Sequence, residues 1–417
     1  MKKNSYLFIF LSISIFFLAS CDKPSSKLNV GIWRGALLTE SGAEVPFNFE
    51  VIDSAGQNSI AIINSTERFK VNEITINGDS IHIQMPLFDS EIKGVLVDGK
   101  INGLWIKHLA DSNVVMTFYA EAGTSWRIKK ESKAPAAQVS GKWASTFISA
   151  DGTDTTIAVG EFVQNEGKVT GTFLTSTGDY RFLDGIIDGD QLMLSTFDGS
   201  HAYLFTATIN GDQMTNGKFY SGFSSVDNWV AHKDDQAKLP DAYSLNYLKN
   251  GAKKINFSFP NLDKKTVSLA DPAFKNKVVI IQLFGSWCPN CMDETAFLSK
   301  FYDKYQSKGV EIIGLAYERT RDFEKSKKNI ERLKNRFNVK YDLLVTGFTN
   351  DKEDAAKSLP MLNTLVAFPT MIIIDKNGDV RKIHTGFSGP GTGNYYMEFV
   401  NEFEKLINDL LKESSSD

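Results

Sequence analysis

The chain is 417 residues long, which allows two or three domains, and its formal net charge of −4 gives no basic footprint for a nucleic-acid partner. With three cysteines a four-cysteine zinc site is excluded, and beyond the N-terminus no stretch is long and apolar enough to span a membrane.

Met1-Lys2-Lys3 is a basic start, and Tyr6 to Leu18 is an apolar core of about a dozen residues, too short for an ordinary spanning helix and right for a signal peptide. It ends in Leu18-Ala19-Ser20-Cys21, which resembles the lipobox of bacterial lipoproteins. Residues 1–20 are therefore expected to be a lipoprotein signal peptide, with Cys21 lipidated as the first mature residue. The protein should then sit in the cell envelope, anchored to a membrane by its lipid and facing the periplasm or the cell surface. Lipidation of Cys21 would also leave no spare thiol to mispair in an oxidising compartment.

From Leu28 to Ala231 the pattern is short alternating strands punctuated by tight turns such as Asn77-Gly78, Asp98-Gly99, Asp188-Gly189 and Asn210-Gly211. This predicts an antiparallel all-β region, barrel- or sandwich-like. It also repeats. Gly31-Ile32-Trp33 is echoed by Gly141-Lys142-Trp143, and Gly78-Asp79-Ser80-Ile81 by Gly189-Asp190-Gln191-Leu192, at an offset near 110 residues. Two units are expected, 28–130 and 139–231, joined through the polar segment 129–137. Each has room for about eight strands, enough to close a small barrel. The tryptophans are read as core, and His82, His108 and His201 as isolated surface or core histidines. The role expected for this half is spacing, docking or substrate capture.

Residues 232–252 read as a linker with a short helix near Tyr243 to Leu248. Residues 253–413 then alternate strand and helix, which predicts a mixed sheet covered on both faces. A hairpin (255–259 and 266–269) opens this α/β domain. Strands follow at 277–284, 310–317 and 341–345, helices at 321–337, 352–362 and 395–411, and a hairpin through Asn377-Gly378 near the end.

Trp287-Cys288-Pro289-Asn290-Cys291 falls between the apolar strand 277–284 and a helix on which Phe297, Phe301 and Tyr302 recur at helical spacing. Cys288 is thus placed at a helix start, where unpaired N–H groups and the positive dipole end favour a thiolate. A thiolate attacks disulfides, and a cysteine one turn on can resolve the mixed disulfide. No histidine lies near enough in sequence to suggest a mixed zinc site, and no metal or other cofactor is expected.

These residues, with Glu294, Phe368-Pro369-Thr370 and the opening hairpin at Lys264 to Leu269, resemble the thioredoxin-fold thiol:disulfide oxidoreductases of the TlpA/ResA type. The resemblance covers about residues 253–413. It implies a Cys288–Cys291 disulfide that cycles with the dithiol, and a cis Pro369 facing it. It also implies that Glu294 assists proton transfer, more so here because Gln282 stands where thioredoxin carries a buried aspartate. Trp287, Pro289, Asn290, Phe368 and Thr370 would border the substrate. Thr295-Ala296 departs from the family, which often has a proline there, and this puts the helix kink in doubt. The partners implied are protein thiols or disulfides and an upstream membrane reductant or oxidant, with cytochrome c maturation among the processes such proteins serve. The alternative is a ligand- or partner-binding β lipoprotein with a redox-sensing module. A peroxidase of the related peroxiredoxin type would not need two cysteines in this spacing.

Overall fold

The computed structural model describes residues 27–414, so the signal segment and Cys21 lie outside the described residues. The first unit contains β1 (Gly31–Leu38), β2 (Glu44–Ser54), β3 (Gln57–Asn64), β4 (Glu67–Val71), β5 (Glu73–Asn77), β6 (Ser80–Gln84), β7 (Ser90–Val97), β8 (Lys100–His108) and β9 (Asn113–Ala122). It is an antiparallel meander in which β1 pairs with both β2 and β9, so the sheet wraps round to a single seam between β4 and β5. The second unit contains β10 (Gly141–Ile148), β11 (Thr155–Asn165), β12 (Lys168–Thr175), the two-residue β13 (Gly178–Asp179), β14 (Leu183–Asp188), β15 (Gln191–Phe197), β16 (Ala202–Asn210), β17 (Gln213–Ser221) and β18 (Ser225–Lys233). Here β12 pairs with both β11 and β14, and β10 with β18, which closes a barrel.

The two units correspond strand for strand, nine to nine, with the short β13 in the place of β4. Gly31 and Gly141 open them with the same positive φ, 110° and 108°. Two residues on, Trp33 and Trp143 are both fully buried, and each indole N–H donates to the carbonyl four residues back, Asn29 at 2.7 Å and Val139 at 2.8 Å. Both tryptophans are core, as expected. The glycines at 78, 99, 189 and 211 take the left-handed conformation that tight hairpins need.

The C-terminal domain is a five-stranded sheet in the order β23 (Asp342–Thr349), β22 (Val310–Glu318), β21 (Val278–Phe284), β24 (Thr370–Ile374), β25 (Val380–Thr385), preceded by the β19 (Ser258–Pro260) and β20 (Thr266–Ser268) hairpin. The first three strands are parallel and the last two antiparallel. Four helices cover it: α1 (Pro289–Tyr305), α2 (Phe323–Phe337), α3 (Lys352–Ala356) and α4 (Asn394–Lys412). Every residue of β21 is buried, which explains its unbroken apolar run.

Two expected helices differ. No helix forms at Tyr243 to Leu248. Asp241 instead turns the chain, its side chain accepting from Tyr243 N and its carbonyl from Ser244 Oγ, and Leu248 bridges to Leu362. The helix from Lys352 ends at Ala356 rather than Leu362, because Pro360 cannot continue it and disfavours helical backbone at the residue before. Helix α1 runs unbroken through Thr295, whose hydroxyl donates to the Cys291 carbonyl at 2.8 Å.

The barrels do not hang free of the redox domain or of each other. Between them, the buried Arg127 donates to Ile63 O, Asn64 Oδ1 and Ser195 Oγ, each at 2.9 Å, while Phe47 stacks on Phe197 at 4.4 Å. At the β4 edge, Arg336 of α2 lies over the Phe69 ring and donates to Lys70 O, which covers a strand edge otherwise open for pairing.

Candidate active site

Cys288 caps the N-terminus of α1. Its sulfur accepts from Cys291 N at 3.2 Å and is joined to Cys291 in a disulfide. Cys288 is 6 % exposed, whereas Cys291 is fully buried. The turn leading into the pair is held from β22: Glu318 accepts from Ser286 N at 2.8 Å and Ser286 Oγ at 2.7 Å, and Trp287 Nε1 donates to Tyr317 O at 2.8 Å. Opposite, the Phe368–Pro369 peptide is cis, and Phe368 O lies 3.8 Å from Cys288 Sγ. A disulfide sulfur has no proton to donate, so this is a packing contact in the oxidised form and an acceptor for the thiol in the reduced one. Trp287 meets the Phe368 ring edge-on at 5.8 Å.

Glu294 is fully buried on α1, and neither carboxylate oxygen has a hydrogen-bond partner among the described residues. Burial pushes its pKa up to about 8. Gln282, which opposes that shift, aims its amide at Thr295 Oγ1 (3.0 Å) and Cys291 O (3.4 Å). The Tyr341 hydroxyl is equally buried and unpartnered among the described residues; its pKa is raised by burial and then by the charge of Glu294. The environment thus favours a protonated carboxyl at neutral pH. Thr370 is buried with its hydroxyl on Ala367 O at 2.8 Å, behind the site rather than on its surface.

The remaining walls come from the barrels. A cleft of about 960 Å³ has Trp287, Cys288, Pro289, Asn290 and Phe368 on one side and residues of both barrels on the others, among them Trp105, Lys107, Tyr180, His201, Tyr203 and Phe223. The β13 loop is wedged against the start of α1. Asn290 Nδ2 donates to Asp179 O (3.2 Å) and Phe387 O (3.4 Å), and Asp179 Oδ2 accepts from Gly389 N at 2.7 Å. The approach requires glycine: Gly386 has φ +77°, and a Cβ there would lie 2.7 Å from the Thr177 carbonyl carbon.

Next to that loop Arg181, 2 % exposed, joins all three units. It pairs with Glu67 of the first barrel, Asp198 of its own (3.6 Å) and Asp293 of α1 (3.5 Å). Burial pushes Asp293 up to about 8 against the pull of Arg181, with Glu67, Asp179 and Asp198 adding to the rise. Asp198 stays well below the usual carboxylate range despite burial, because His201 and Arg181 face it.

The structure therefore brings together Cys288, Cys291, Glu294, Pro369, Trp287, Pro289, Asn290 and Phe368 from the sequence reading, and adds Glu318, Asp179, Arg181, Asp293, Lys107 and Arg319. Of these, Glu318 alone leaves a sequence signal, an acid ending an otherwise apolar strand. The histidines are not isolated. His82 and His108 share Glu91, at 2.7 and 3.3 Å, and His201 lies on the cleft wall with Asp198 at 3.2 Å.

A disulfide at the start of a helix packed on this sheet, beside a cis proline and a buried acid of the same helix, defines a thioredoxin-fold thiol–disulfide oxidoreductase. Residues 249–397 match the Redoxin family model. ResA thiol-disulfide oxidoreductases are similar to this chain: that of Geobacillus thermodenitrificans is 29% identical over 136 residues, 33% of this chain and 69% of that protein, and that of Halalkalibacterium halodurans 26% over 157 residues, 38% and 76%. The solved thioredoxin domain of a thiol-disulfide oxidoreductase from Bacteroides vulgatus is 27% identical, covering 37% of this chain and all of that one, with a TM-score of 0.28. The similarity to ResA proteins is confined to the C-terminal domain, and the barrels lie outside the segment matched by the Redoxin model.

Proposed function

We propose that the protein is a lipid-anchored, extracytoplasmic oxidoreductase that exchanges protein disulfides through Cys288 and Cys291. The observation that carries this reading is the unequal setting of the two sulfurs, Cys288 at the cleft and capping α1, Cys291 sealed behind it. In the reduced form the Cys288 thiolate attacks a substrate disulfide. The substrate S–S bond breaks, a Cys288–substrate bond forms, and the displaced substrate sulfur takes a proton. Cys291 then gives its proton to Glu294 in the fraction of molecules where that carboxyl is ionised, and attacks Cys288; the mixed disulfide breaks, the internal disulfide forms, and the second substrate sulfur leaves and takes up a proton. The substrate gains two electrons and two protons, and an upstream dithiol restores the pair. Run backwards, the same steps oxidise a dithiol, and the reduction potential of the couple against its compartment sets the direction.

The test is turnover of a peptide disulfide with excess dithiothreitol, together with the potential of the couple from redox-buffer titration. Wild type should turn over and titrate as a two-electron couple, and Cys288→Ser should do neither. Turnover surviving in Cys288→Ser would reject the reading. Anchoring rests on Leu18-Ala19-Ser20-Cys21. Cys21→Ser should move the protein from the membrane to the soluble fraction and lose a labelled fatty acid, whereas a wild type already soluble and unlabelled would reject it.

A further inference from the structure

The cleft over Cys288 has a charge pattern that disulfide exchange alone does not need. Lys107 of the first barrel and Arg319, which follows β22, both line it. They are close: Arg319 stacks over Trp287 at 5.5 Å and donates to the carbonyl of His108, the residue after Lys107, at 3.4 Å. Lys107 Nζ is held in place by Ser200 O at 2.9 Å and Ser200 Oγ at 3.0 Å, which uses two of its three protons. Burial, and then the charge of Arg319, pulls the Lys107 pKa down to about 8 against the opposite pull of Asp198, while burial lowers Arg319 against the charges of Glu318 and Asp89. The cleft lining contains one carboxylate, Asp179, and it is already engaged by Gly389 N and Arg181 N. A second, independent observation points the same way. Trp105 is 1 % exposed and lines the cleft, and its indole N–H has no acceptor among the described residues. Asp198, Glu318 and Asp89 face these cations from behind, so on the cleft side two neighbouring cations and an orphaned donor surround one sulfur with no free carboxylate in the lining.

We propose that this cleft selects disulfides and thiols carrying a carboxylate close to the reacting sulfur, with the carboxylate seated between Lys107 and Arg319 and a substrate oxygen accepting from Trp105. The proposal rests on the exchange activity proposed above. It gives the barrels a function, since the first barrel supplies Lys107 and Trp105 and the second the Ser200 that positions Lys107. A carboxylate of this kind is found on an acidic residue beside cysteine in a polypeptide and on a small acidic thiol such as glutathione.

The experiment uses the full-length chain with dithiothreitol as reductant. Bis(2-hydroxyethyl) disulfide serves as the neutral reference. One arm compares two cyclic peptide disulfides that differ only in Glu or Gln after the cysteine. The other compares glutathione disulfide with its fully esterified form. The expected result is kcat/KM higher by about tenfold or more for the acidic member of at least one arm, the scale of one charge-assisted hydrogen bond. The ratio should shrink with added salt. Taken within each variant, where a general loss of activity cancels, it should fall toward one in Lys107→Gln and Arg319→Gln. The arm that responds identifies the source, polypeptide or small thiol. Ratios near one in both arms, with the neutral reference turned over normally, would overturn the proposal and leave the exchange activity standing. Failure on the neutral reference as well would reject both.

Discussion

Replacing Glu294 by Gln tests the buried acid on two independent readouts. The carboxyl has no hydrogen-bond partner among the described residues, and burial raises its pKa to about 8, while in the unfolded chain it titrates as an ordinary glutamate. An acid with a raised folded pKa keeps its proton when the unfolded chain has released it. Its effect is therefore absent below the unfolded pKa, grows as pH rises toward 8, and is complete above that. The gap corresponds to on the order of 5 kcal/mol of stability lost by pH 9. Glu294→Gln keeps the shape and cannot ionise, so its urea midpoint should match or fall slightly below wild type at pH 5 and exceed it at pH 9. The second readout is kinetic. With a pKa near 8, about one carboxyl in ten is ionised at pH 7, so resolution of the mixed disulfide should quicken roughly tenfold between pH 7 and pH 9. The variant should lack that inflection. Urea midpoints that run parallel from pH 5 to pH 9, or an unchanged rate profile in stopped-flow, would refute the argument and leave Glu294 as a core residue that complements the helix dipole.

Arg181→Met should destabilise the full chain by about 3–5 kcal/mol at neutral pH, because the partly buried Glu67 loses its cation and Asp198 is left with His201 alone. The deficit should shrink in acid as the carboxylates protonate, and a melting temperature equal to wild type at pH 7 would contradict the pairing. Gly386→Ala places a side chain at φ +77° and 2.7 Å from the Thr177 backbone, so the β13 loop should lift from the start of α1. Protease sensitivity near residue 178 should rise and kcat/KM for peptide disulfides should fall, with the helical signal in circular dichroism retained; wild-type values for both would mean that the close approach is dispensable.

The redox core was legible because its signals are local. A cysteine pair between an apolar strand and an amphipathic helix specifies a strand–turn–helix, and the Asn-Gly and Asp-Gly turns with two Gly-x-Trp openings expose a duplicated meander. What the sequence concealed is non-local. Arg181 lies between a two-residue strand and β14 with no period to mark it, and its partners Glu67, Asp198 and Asp293 are scattered over more than half the chain. Lys107 and His201 read as ordinary strand and hairpin residues because only the docking of two barrels onto β22 and α1 turns them toward Cys288. The absent helix near Tyr243 and the short α3 are failures of a different kind. Turn chemistry at Asp241 and the proline at 360 were visible, and they outweighed weak helical periodicity.

The most direct test of the account is to trap the mixed disulfide. Full-length Cys291→Ser, incubated with a peptide disulfide and analysed by intact mass with and without dithiothreitol, should accumulate a reducible adduct mapped to Cys288, while Cys288→Ser should form none. Adducts held by Cys288→Ser and absent from Cys291→Ser would reverse the roles of the two sulfurs and contradict the mechanism.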